Sequence, residues 1–191
     1  MNSSISTYKS RSDAEYAPYR TGFDTQTGFA NRALFISFLS YNLLLLSRNS
    51  MGLTLLDISL NNFKWIDENY GPATGDQVLA DTARRLLECA RHNDSFARLS
   101  EDEFGMLLPG IISASAAELV ARQILAAIQE TFVLPLNTRL EVACSIGIAT
   151  YPHDSTSADG LLHNACVAMN QVKLSGRHGF AFSQCTDSSS G

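Results

Sequence analysis

Apolar residues at Val78, Leu79, Ala83, Leu86, Leu87 and Ala90 recur at the three- and four-residue spacing of one helical face. They predict a helix that follows Gly75-Asp76 and runs through LADTARRLLECARH. Helices are predicted over Asn31 to about Ser47, ending in a turn at Arg48-Asn49-Ser50, over Ser115–Thr131 and over Ala158–Leu174. Shorter apolar runs between them read as strands: Gly52–Leu60 (GLTLLDISL), Leu140–Thr150 and Gly179–Ser183. Ser95–Leu99 and Glu103–Leu108 flank a tight polar turn and predict a hairpin. Strand, helix, hairpin, helix, strand is the order of an α/β (α+β) ferredoxin-like core, a mixed and largely antiparallel sheet flanked by helices on one or both faces.

The flanks lack such patterning. Residues 1–20 and the Ser-rich end, 185–191, read as tails or linkers around one domain at 21–184. With 45% hydrophobic residues, a chain of 191 has enough apolar material for one full core. A net charge of -5 and a pI near 5.3 argue against a general nucleic-acid binder, while leaving room for nucleotide binding by local Lys and Arg. Cys89, Cys144, Cys166 and Cys185 form no CxxC pair and read as small core residues in a reducing compartment. Met1–Tyr19 has no apolar centre, and the most apolar stretch, Ala33–Leu46, falls short of the roughly 20 residues that span a bilayer. A cytoplasmic domain without a membrane segment is expected.

Five motifs then fall in register over residues 20 to 184. Asp24-Thr25-Gln26-Thr27-Gly28-Phe29-Ala30-Asn31-Arg32 resembles D-x-L-T-G-L-x-N-R. Phe63-Lys64, Tyr70-Gly71 and Gly75-Asp76 resemble F-K-x-I-N-D-x-Y-G-H-x-x-G-D. Arg98 through Phe104 stands where R-x-G-G-D-E-F is expected, Ser145-Ile146-Gly147-Ile148-Ala149 resembles S-I-G-I-A, and Lys173 with Gly176-Arg177 resembles K-x-x-G-R-N. In these motifs the chain is similar to the GGDEF (diguanylate cyclase) family, with a degenerate Ser-Glu-Asp-Glu-Phe signature.

The resemblance implies a site where two GTP molecules are joined by attack of a ribose 3′-hydroxyl on an α-phosphate, with Mg²⁺ on a strand Asp and the turn acids. The turn acids persist as Asp102 and Glu103, the catalytic and metal candidates, but Ser59 stands at the strand Asp and Asn61 at the next. Asp57, two residues earlier on the same strand face, is an alternative ligand, although about 6.6 Å of strand separates it from Ser59. Ser100 and Glu101 replace two glycines, whose freedom at positive φ and open space would admit a ligand. Lys64, Lys173 and Arg177 are the phosphate-side cations, and Phe63, Asp67 and Asp76 complete the implied nucleotide site. Asp67 stands where the family has an amide. When ionised it accepts hydrogen bonds but donates none, which weakens guanine recognition.

Arg91-His92-Asn93-Asp94 matches the family's RxxD inhibitory site, nine residues before Ser100. Arg suits guanine O6 and N7, and Asp suits the donor edge, so the pair implies binding of cyclic di-GMP without metal; a plain surface ion pair is the alternative. Three functions follow. The first is a catalytically weak or inactive domain that binds cyclic di-GMP through Arg91 and Asp94 and regulates a homodimer or attached signalling domains. The others are an active cyclase, with Mg²⁺ entering alongside GTP, and a dimerisation or docking module without nucleotide.

Overall fold

The computed structural model describes residues 22–49, 51–133 and 139–184. In chain order the elements are β1 (Ala30–Asn31), α1 (Arg32–Asn49), β2 (Leu53–Leu60), α2 (Phe63–Tyr70), α3 (Pro72–Glu88), β3 (Ser95–Arg98), β4 (Glu103–Pro109), α4 (Ala114–Gln129), β5 (Phe132–Val133), β6 (Arg139–Leu140), β7 (Cys144–Tyr151), α5 (Ala158–Leu174) and β8 (Gly179–Phe182).

Six strands form one sheet in the order β1-β3-β4-β2-β7-β8. The inner four, β3-β4-β2-β7, are mutually antiparallel and have the ferredoxin-like arrangement. β1 and β8 add parallel edges, so the expected mixed, largely antiparallel sheet is observed. Helices cover both faces. Leu56, Ile58 and Leu60 of β2 pack in the core that α3 and α4 share, whereas Leu53 and Leu55 pack in the core of α1 and α5. Strand alternation therefore puts Asp57 and Ser59 on the α1/α5 face. Glycine lets that face close: a Cβ on Gly147 would run into the Ala165 carbonyl of α5, and one on Gly105 would lie 2.7 Å from Phe35 Cζ of α1.

Four boundaries differ from the sequence reading. α1 continues through Arg48 and Asn49, where a turn was expected; Ser50 lies outside the described residues. α3 begins at Pro72 rather than after Gly75-Asp76, because proline at a first helical position loses an N–H that has no helical partner anyway. It ends at Glu88, short of the expected Arg91-His92, and Arg91–Asp94 forms a separate turn in which the Asp94 carboxylate accepts the Arg91 N–H at 2.7 Å. The predicted strand Leu140–Thr150 divides in two. Cys144 is the last residue with a partner on β2, so the chain before it pairs in a small ribbon of β5 and β6.

The tails and Cys185 lie outside the described residues, and Cys89, Cys144 and Cys166 are free thiols, of which Cys144 is fully buried. No helix among the described residues is long and apolar enough to cross a membrane.

Candidate functional site

The head of β2, the β3–β4 hairpin and the last turn of α5 converge at one end of the sheet. Ser59 lies opposite Glu103 on β4 and Ser145 on β7. Two pairs further in, Asp57 lies between Gly105 and Gly147. Asp57 therefore shares the face of Ser59, as expected, but stands deeper. Its side chain is 3% exposed, and Oδ1 has no hydrogen-bond partner. Burial, then the nearby Glu103 and Asp102 charges, push its carboxyl up to about 7 against the opposing pull of Arg32 and Lys173.

Lys173 reaches this end of the sheet from the last turn of α5. Its Nζ donates to Ser59 Oγ at 2.8 Å and to Asp102 Oδ2 at 3.0 Å. Ser59 Oγ in turn donates to the same Asp102 oxygen at 3.4 Å. The ammonium thus spans the strand position and the turn acid, and the ion pair is half-buried. Next to it, Asn61 accepts from Ser145 Oγ at 2.9 Å and donates to the Arg177 carbonyl at 3.3 Å, tying the head of β2 to β7 and to the loop after α5.

This donor set does not fit Mg²⁺, which prefers octahedral oxygen ligands with several carboxylates or phosphates. One Asp102 oxygen is bound by an ammonium, the strand position carries a neutral hydroxyl, and Asp57 is recessed. Among the described residues, no group of three or more His, Cys, Asp or Glu side chains is placed to hold a metal ion.

The hairpin tip accommodates its side chains without backbone strain. Neither Ser100 nor Glu101 has positive φ; Asn62 is the one non-glycine residue among those described that does. Arg98 secures the tip by donating to the Ser100 carbonyl at 2.6 Å and to the Glu101 carbonyl. What the missing glycines remove is open space and neutrality beside the site, rather than a required conformation.

Phe63, Asp67 and Gly75 meet behind the head of α2. A Cβ on Gly75 would collide with the Asp67 carboxylate and lie 3.3 Å from Phe63 Cζ. Asp76, on the next residue, accepts from the Gln26 amide, whose oxygen accepts from Arg98 Nη1 at 3.4 Å. The sequence reading did not single out Gln26. Its signal was there, a glutamine at the leucine position of D-x-L-T-G. Lys64 is exposed near the start of α2 and pairs with Glu68 at 3.8 Å. That helix begins at left-handed Asn62 with no side-chain cap.

Of the remaining candidates, Arg177 adjoins the site through its carbonyl, while Arg91 and Asp94 lie at the other end of β3. Arg177 lines a groove of about 510 Å³ with Arg122, Leu125, His178 and Phe180. Arg91 and Asp94 precede β3, whereas the hairpin tip follows it. Arg91 is exposed, and Asp94 is half-buried.

A family profile described as "Diguanylate cyclase, GGDEF domain" matches residues 21–179. The chain is 36% identical over 154 residues to diguanylate cyclase TpbB of Pseudomonas aeruginosa, covering 81% of this chain and 35% of that protein. It is 32% identical over 157 residues to cyclic di-GMP phosphodiesterase PdeR of Escherichia coli, covering 82% and 23%. The chain thus spans about a third or less of the length of these two relatives. In structure it resembles the isolated GGDEF domain of the Pseudomonas aeruginosa protein PA1120 (TpbB or YfiN), with a TM-score of 0.83 at 33% identity, covering 86% of this chain and 96% of that one.

Proposed function

Because the chain belongs to the GGDEF family of diguanylate cyclase domains, we propose that it is a catalytically weak or inactive member that binds cyclic di-GMP through Arg91 and Asp94 and acts as a regulatory module. One observation carries the first half: the Lys173 ammonium, at 2.8 Å from Ser59 and 3.0 Å from Asp102, lies where the family's chemistry calls for a metal between strand and turn. Phosphoryl transfer depends on positioning and on charge neutralisation at the reacting phosphate. Here the neutralising charge is engaged with Asp102, and Glu101 adds a negative charge beside the path of a polyphosphate. GTP, and Mg²⁺ with it, is a weak ligand on this reading. Asp76 offers acceptors to a guanine edge, but Asp67 offers no donor for O6.

The second half draws on chemistry away from that site. The exposed Arg91 guanidinium suits the paired acceptors of guanine, and a carboxylate with two oxygens accepts from a base while one of them holds the turn. The relatives support a regulatory role, since by name one is a cyclase and another a phosphodiesterase, each a longer protein. The partners on this reading are cyclic di-GMP, a second copy or attached signalling domains, in the cytoplasm, with 21–184 as the working unit. A second reading, a docking module, draws on Phe38, Tyr41, Leu44 and Leu45, which are exposed on α1.

A pair of isotherms tests the proposal, one for cyclic di-GMP and one for GTP with Mg²⁺. Saturable binding of cyclic di-GMP together with much weaker binding of GTP supports it. No binding of cyclic di-GMP favours the docking reading.

A further inference from the structure

The acid-rich head of β2 is neutralised from within the chain. Asp57, Asp102 and Glu103 lie near one another, and Arg32 and Lys173 are the cations whose charges reach Asp57. Among the described residues, Lys173 is the cation that places its charge in hydrogen-bonding contact with this cluster, on Ser59 Oγ and Asp102 Oδ2. The contact is specific. Ser59 is fully buried, accepts from the ammonium and passes its own proton toward the same carboxylate oxygen. A serine suits this role because it can accept and donate at once, whereas a carboxylate at that position would add a charge that one ammonium does not balance.

We infer that Lys173 is the resident cation of this site: its ammonium fills the position between β2 and the hairpin that a divalent ion would need, so the chain does not take up Mg²⁺ or Mn²⁺ there. Ser59 is then the change, and the retained Lys173 fills the place it leaves. With the strand carboxylate absent, Asp102 and Lys173 balance each other, and the latch pins the end of α5 to the hairpin tip without metal. A divalent ion entering the cluster would meet the ammonium at close range and find one neutral oxygen where a carboxylate is needed. The inference rests on the reading of Asp102 as the metal side of a degenerate site, and deepens it.

Mn²⁺ is the probe, applied to the full chain and read by spin resonance of the free ion and by calorimetry. The wild type and Lys173→Arg, which keeps the charge, are expected to show no saturable uptake and no change of thermal midpoint between excess Mn²⁺ and chelator. Removing the ammonium and restoring the carboxylate, with Lys173→Met and Ser59→Asp together, is expected to create a saturable site. That site should be roughly tenfold or more tighter than in Lys173→Met alone, because two carboxylates then converge on the position. Saturable uptake by the wild type overturns the inference, as does a folded double variant that still takes up no Mn²⁺. If the double variant does not fold, the wild type and Lys173→Arg decide. A wild type that takes up Mn²⁺ yet makes no cyclic di-GMP refutes the resident cation and leaves the weak-catalyst reading standing. A wild type that refuses Mn²⁺ yet condenses GTP efficiently does the reverse.

Discussion

Asp57 faces Gly105 across β2 and β4, two residue pairs inside the pairing of Ser59 with Glu103. That step of two pairs, which keeps the same sheet face, moves the strand's acid from the mouth of the site into the packing beneath α1 and α5, where glycines on both neighbouring strands leave it enclosed. An enclosed carboxyl with an unpaired oxygen costs stability when ionised and much less when protonated.

The first prediction is a pH dependence. The Asp57 carboxyl is held at about 7 in the folded chain against 3.8 for the free group. Between those values the folded state keeps a proton that the unfolded state releases, so this residue's contribution to stability falls as pH rises through that window. Asp57→Asn removes the dependence. Relative to wild type, the variant should gain stability between pH 5 and pH 8, by a shift on the order of a few kcal/mol. Urea unfolding of both proteins at the two pH values measures it; an unchanged difference between them contradicts the account.

A second prediction concerns the product ligand. Arg91→Ala should weaken cyclic di-GMP binding by roughly tenfold to a hundredfold, the worth of a charge-assisted bidentate contact. Asp94→Ala should weaken it as well, since the Asp94 carboxylate also closes the turn that carries Arg91. Lys173→Ala should leave it nearly unchanged. Calorimetry on the three variants separates the sites: loss in Lys173→Ala with no loss in Arg91→Ala would move the ligand to the hairpin end.

The hairpin, β2 and α5 were legible in the sequence because their apolar periods are long and their boundaries carry turn residues or caps, such as Ser157, which caps α5 by accepting from the Gly160 N–H. The end of α3 was not. The residues CARH continue a helical pattern, but Asn93 and Asp94 offer local backbone bonds that win once packing ends. The split of the Leu140–Thr150 run depends on where β2 runs out, which is a property of the partner strand. At the site, the sequence singled out Asp102 and Lys173, and Ser59 as the residue in place of the strand Asp, but did not join Lys173 to Ser59. That bond spans 114 positions and exists because Gly147 lets α5 settle on β7. Gln26 stayed hidden for a similar reason, since its link to Asp76 spans 50 positions.

The Gln26 link gives a third prediction. Gln26 engages Asp76 with its amide nitrogen and Arg98 with its oxygen, so a guanine edge must compete for Asp76. Gln26→Leu should tighten GTP binding by about tenfold at most, the worth of one exchanged hydrogen bond to a charged group. It should leave ATP binding unaffected. Fluorescence titration with the two nucleotides checks this; equal gains for both would mean that the substitution acts on the phosphate side instead.

The most direct measurement is turnover itself: GTP and Mg²⁺ supplied to the full chain, with cyclic di-GMP followed by chromatography. The account predicts little or no product from the wild type, and partial recovery when Ser59→Asp, Ser100→Gly and Glu101→Gly are combined. Robust product from the wild type, abolished by Asp57→Ala, would contradict it and make the recessed carboxylate a working metal ligand.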